Sequence, residues 1–69
     1  MEDIKQQVGH LIHKTRKSKG LTQSELGEKL GIGKTTINKY ESGIHNITVE
    51  TLKRVMDVMD VKIVIRIEP

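Results

Sequence analysis

The chain contains no cysteine, tryptophan or phenylalanine, a single tyrosine and a single proline. Without cysteine it has neither disulfides nor a thiolate zinc site. At 69 residues it is one domain, and a chain of this size buries only about 60% of its unfolded surface. Stability therefore has to come from packing or from a partner chain, and the core has to be aliphatic. No apolar run approaches the length that crosses a membrane. With 35% hydrophobic and 30% charged residues the chain is not a disordered tail either. Its opening Met1-Glu2-Asp3 lacks the basic and apolar regions of a signal peptide, and together with the missing cysteines this predicts a cytoplasmic protein.

What charge there is has an uneven distribution. The net charge is +3. From His10 to Lys39 the chain carries Lys14, Arg16, Lys17, Lys19, Lys29, Lys34 and Lys39 against only Glu25 and Glu28, whereas from Tyr40 onward acids slightly outnumber bases. A polyanion would dock on the basic half, because phosphate neutralisation with counterion release is the main sequence-independent contribution to nucleic-acid binding. Charge alone equally fits a solvated helix surface.

Hydrophobic periodicity predicts four helices. Ile4, Val8, Leu11, Ile12 and Thr15 form one stripe of an amphipathic helix with Glu2 and Asp3 in its first turn, closed by Lys17, Lys19 and Gly20. Thr22-Gln23-Ser24-Glu25 reads as a capping box, which starts a short helix at residue 22 that turns Leu26 and Leu30 inward. A three-residue turn, Gly31-Ile32-Gly33, leads to a third helix from Lys34 to Ser42, with Ile37 and Tyr40 on one face and Gly43 as its stop. Thr48 caps a fourth, whose apolar positions are Val49, Leu52, Val55, Met56 and Met59. After Asp60 the period changes to two. Val61, Ile63, Ile65 and Ile67 alternate with Lys62, Val64, Arg66 and Glu68 until Pro69, the pattern of a strand.

Two short helices joined by a glycine turn, the second carrying polar residues outward, is how a helix enters a major groove. Gly20-Leu21-Thr22-Gln23-Ser24-Glu25-Leu26-Gly27, Leu30-Gly31-Ile32, Thr36-Ile37, Tyr40-Glu41-Ser42-Gly43 and Thr48-x-x-Thr51-Leu52 resemble the Cro and phage-repressor helix-turn-helix family over residues 12 to 61. The resemblance implies a mainly α, lambda-repressor-like bundle of four helices, with residues 1–60 as the DNA-binding domain and the helix-turn-helix at 22–42. It implies that Gln23 grips a phosphate and braces the first recognition residue, and that Lys34, Thr35, Thr36, Asn38 and Lys39 form the exposed face of the recognition helix. Lys34 would reach guanine O6 and N7, Thr35 and Thr36 a thymine methyl or a phosphate, Asn38 adenine N6 and N7, and Lys39 phosphate. Arg16 and Glu41 match the family's partly buried ion pair. The chain departs from the pattern at Gly33, where Ser or Thr usually caps the recognition helix, at Gly27 in place of Ala, at Ile47 in place of Pro, and at Asp60 in place of Gly. Gly27 costs up to about 1 kcal/mol of helix propensity and allows a closer helix crossing.

Other signals are weaker. Gly31-Ile32-Gly33-Lys34-Thr35 lacks the earlier glycine of a phosphate-binding loop, since position 28 is Glu. His10 and His13 lack a third metal ligand and read as exposed or groove-flanking. His45 lies in a loop with at most a backbone contact, and Met56 with Met59 reads as core or dimer packing. No catalytic grouping, cofactor motif or small-molecule site is evident, so no enzyme is expected.

A lone strand cannot satisfy its own backbone. Residues 61–69 are therefore expected to pair antiparallel with the same segment of a second copy, burying Val61, Ile63, Ile65 and Ile67 across a two-fold axis. Centring the axis on Ile65 sets Lys62 opposite Glu68, whereas centring on Val64 would set Lys62 against Arg66. The alternative is a tail lying along its own helices or near Met1. A helix-turn-helix domain followed by such a strand is similar to HipB-type antitoxins. The expected function is a homodimeric, sequence-specific repressor of its own operon on a palindromic operator in double-stranded DNA, with an antitoxin role if a toxin partner exists. The alternatives are a module that mainly holds a toxin or other protein, and a phage, plasmid or restriction-modification control protein.

Overall fold

In a computed structural model, which describes residues 3–69, Asp3 opens the first helix from outside it. Its side chain accepts a hydrogen bond from the Lys5 amide at 3.0 Å, so Asp3 is the cap and not a first-turn acid; Glu2, the other acid expected there, lies outside the described residues. Helix α1 spans Ile4–Ser18, α2 Gln23–Leu30, α3 Lys34–Glu41 and α4 Val49–Asp57. Three further ends shift from expectation: Thr22 caps α2 without joining it, Ser42 caps the end of α3, and α4 stops at Asp57, two residues before Met59. The capping box forms in full. The Glu25 amide donates to Thr22 Oγ1 at 3.0 Å, and the Thr22 amide to Glu25 Oε1 at 2.8 Å, which places that carboxyl below its ordinary range through the backbone hydrogen bond first. At α4, Thr48 accepts from the Thr51 amide at 3.0 Å.

Each helix sends one fully buried aliphatic to a common centre: Ile12, Leu26, Ile37 and Val55, with Met56 and Met59 completing the core. Burying each of those four side chains is worth about 1.5–3 kcal/mol. The two methionines are thus core. The stripes are not buried throughout, however. Ile4 and Val49, each the first residue of its helix, are exposed, and so is Leu11 in the middle of α1. No helix among the described residues is long and apolar enough to cross a membrane.

Two glycines record close backbone approaches. A Cβ on Gly9 would stand 2.5 Å from the Glu41 carbonyl oxygen and 2.8 Å from that of Tyr40, so α1 crosses the end of α3 in van der Waals contact. A Cβ on Gly27 would stand 2.6 Å from the Ile32 carbonyl oxygen. The closeness expected at Gly27 is therefore to the turn that follows α2, not to another helix.

Residues 61–69 carry no helix or strand in the single chain. The segment divides: Val61 and Ile63 pack half-buried against the chain's own core, while Val64, Ile65 and Ile67 remain exposed. Ile63 and Ile65 line a cleft with Val49, Lys53 and Asp57 of α4, so the segment turns back along α4. The four aliphatics expected to act together are not equivalent, because the first two are held by the chain itself.

Candidate nucleic-acid interface

The turn between α2 and α3 is set by local hydrogen bonding. The Ile32 amide donates to the Gly27 carbonyl at 2.9 Å with Gly31 in the left-handed region at φ 73°. Ile37, wholly buried, then fixes the rotation of α3. At about 100° per residue, Thr35 and Lys39 point away from the core, Asn38 lies on one flank, and all three are exposed. Thr36 falls on the other flank and is half-buried, so it is less available than the pattern implied. Lys34 is exposed on the side of α3 nearest Glu41 and lines an open cleft of about 490 Å³ with Arg16, Lys17, Gly20, Thr22, Gln23 and Ser24. That cleft gathers three cations beside the N-terminus of α2, where free amides and the helix dipole favour an anion. Gly33 precedes α3 with no side-chain cap.

Behind the cleft lies a polar centre. Glu41 is buried, and its carboxylate receives four donors from two other helices. Arg16 Nε donates to Oε2 at 2.5 Å and Nη2 to Oε1 at 3.1 Å; His13 Nδ1 lies 2.8 Å from Oε1; Gln23 Nε2 donates to Oε1 at 3.2 Å. Arg16 Nη1 donates in addition to the Leu21 carbonyl at 2.7 Å. Burial pushes the Glu41 carboxyl up, but the hydrogen bonds from Arg16, His13 and Gln23 and the Arg16 charge outweigh it, and the net direction is down. The hydrogen bond to Glu41 likewise raises Arg16 further, against its own desolvation. No buried side-chain polar atom among the described residues lacks a partner. Arg16 and Glu41 are therefore brought together, and Gln23 with them.

Two members of this centre were not anticipated. His13, read as exposed or groove-flanking, faces Glu41; the signal was its position one turn before Arg16 on the same helix face. Gly9, one turn further back, permits the approach of α1 that brings these side chains within reach of Glu41. His45 does not rest on backbone alone but packs edge-on to Tyr40, ring centroids 5.4 Å apart at 64°. Among the described residues no group of three or more His, Cys, Asp or Glu is arranged to hold a metal.

Residues 12–65 match the helix-turn-helix family. The chain belongs to that family. Among curated proteins, the helix-turn-helix transcriptional regulator SinR of Bacillus subtilis is 35% identical over 57 residues, covering 81% of this chain and 51% of SinR. Antitoxin HipB of Escherichia coli K12 is 32% identical over 54 residues, covering 78% of this chain and 61% of HipB. A helix-turn-helix regulatory protein of Methanocella arvoryzae is 34% identical over 55 residues, only 17% of its own length. The chain thus spans only part of the length of these relatives.

Proposed function

We propose that this helix-turn-helix protein is a sequence-specific regulator of transcription that binds double-stranded DNA as a homodimer and represses its own operon. The observation that carries this reading is the orientation of α3: Ile37 is wholly buried while Thr35, Asn38 and Lys39 face solvent and Lys34 stands over the cationic cleft. A major groove about 12 Å wide accepts such a helix. In this reading Lys34, Thr35, Thr36 and Asn38 meet base edges, and Lys39 and Gln23 meet phosphates. The Gln23 amide has two N–H groups; one serves Glu41, which fixes the side chain and leaves the other for phosphate.

Residues 1–60 would form the DNA-binding domain and 61–69 the dimerisation segment. Val61 and Ile63 anchor the segment to its own core, and the exposure of Ile65 and Ile67 favours an antiparallel pairing of two copies about Ile65. The likeness to antitoxin HipB favours an additional role in holding a toxin.

Selection of bound sequences from random duplexes tests the first reading. A palindrome with half-sites about 34 Å apart is expected. Lys34→Ala and Asn38→Ala should relax base preference, and Lys39→Ala should weaken all sequences and reduce the salt slope by about one. Unchanged footprints in all three variants would reject α3 as the recognition helix. For the toxin role, a larger protein encoded beside this chain should co-purify with it from its host, and its absence there would reject that role.

A further inference from the structure

His13 belongs to the polar centre and has no part in the reading above. Glu41 is an acceptor only, so at 2.8 Å from Glu41 Oε1 the Nδ1 atom of His13 must carry the hydrogen. The 3.3 Å approach of Arg16 Nη2 to the same nitrogen is then a contact between two donors, not a hydrogen bond. In a neutral ring this leaves Nε2 as a bare acceptor, on the part of the imidazole that Glu41 does not cover; 51% of the side chain is exposed. The ring shares Glu41 Oε1 with Gln23, whose side chain lines the cationic cleft. His13 does not itself line that cleft but touches Arg16, which does, and the carboxylate behind the ring holds it in one orientation.

The charged groups around the ring are few. On α1 they are Arg16, in contact, with His10 and Lys17 one turn away on either side. From α3 comes Glu41, and from α2 only the uncharged Gln23. A neutral Nε2 would meet a phosphate oxygen acceptor to acceptor. A protonated Nε2 would donate to it and add a positive charge beside Arg16.

We propose that His13 is a phosphate contact of the DNA interface that engages only when its ring is protonated, so that the protein grips DNA more tightly in acid. This rests on the α2–α3 unit being the DNA-binding surface. Glu41 supplies the orientation, since its hydrogen bond to Nδ1 persists in both protonation states and keeps Nε2 outward.

The test is the dependence of affinity on salt concentration, measured on mixed-sequence duplex DNA at about pH 8 and about pH 6, the interval over which histidine changes charge. Wild-type protein should gain about 0.9 in salt slope at the lower pH, the value of one additional phosphate contact. His13→Gln, which can still donate to Glu41, should lose that gain, and His13→Lys should have the steeper slope at both pH values. His45→Gln should behave as wild type. A full gain retained in His13→Gln overturns the proposal while leaving the DNA reading intact. A wild-type protein with no salt-dependent binding at either pH overturns both. Circular dichroism of each variant at both pH values separates loss of contact from loss of fold.

Discussion

Glu41 is the hub of the polar centre. It takes donors from His13 and Arg16 on α1 and from Gln23 on α2, so one carboxylate ties three helices. Arg16 and Glu41 side chains are only 8% and 6% exposed, and removing one partner of a buried pair costs about 3–5 kcal/mol. Arg16→Ala should therefore lose stability of that order in chemical denaturation; a loss below about 1 kcal/mol, as for surface pairs, would mean the pair is effectively solvated. The pH dependence follows from the lowered Glu41 carboxyl. A carboxyl whose folded value lies below its unfolded one contributes stability above the ordinary range, near 4.3, and loses it as pH falls through the lower folded value. Denaturation from about pH 6 down to about pH 3 should accordingly find wild type losing its advantage over Glu41→Gln in acid, and a constant gap would refute this. Gly9→Ala should destabilise by about 1–3 kcal/mol through overpacking, despite the better helix propensity of Ala, because the atoms it meets are backbone carbonyls of α3 that cannot turn aside. Arg16 and Glu41 were legible through the family pattern. The close approach at Gly9 was not, since only a crossing of two helices distant in sequence creates it.

All four helices end alike. After α1, α2 and α3 a glycine adopts φ between 69° and 76°, and after α4 Asp60 takes φ 58° in the same role. In each case the next amide reaches back to close the final turn, Leu21 to Arg16, Ile32 to Gly27, Ile44 to Lys39 and Val61 to Met56. Helix limits were readable within about two residues for this reason: caps and stops are written in three or four consecutive residues. How far the core extends under a stripe is not local, and Ile4, Leu11 and Val49 were misjudged accordingly. Asp60 is the exception that offers a measurement. A non-glycine residue in the left-handed region is strained, and Asp60→Gly should raise stability by at most about 1–2 kcal/mol, read as an upward shift in melting temperature. No shift would mean that the Asp60 side chain offsets the strain.

At the scale of the whole molecule the question is what completes residues 61–69. A strand is defined by its partner, so an alternating sequence announces capacity for pairing without the pairing itself, and one chain carries only half of the arrangement. Val61 and Ile63 belong to the monomer core, while Ile65 and Ile67 are 67% and 88% exposed with no role in it. The two pairs should respond differently to substitution. Replacing Ile65 and Ile67 together with lysine should leave helical content and the unimolecular part of stability unchanged, yet shift sedimentation to the monomer and abolish any dependence of melting temperature on protein concentration. Replacing Val61 and Ile63 with lysine should instead lower stability at every concentration, because those side chains pack against the core cluster. DNA provides the second readout: with dimerisation lost, each copy still carries an intact α3, so binding to a single half-site should persist while the advantage of a palindrome over that half-site disappears. If the Ile65 and Ile67 double variant remains a dimer with its palindrome preference intact, the two-fold contact lies on another surface, and the segment beyond Ile63 has no part in assembly.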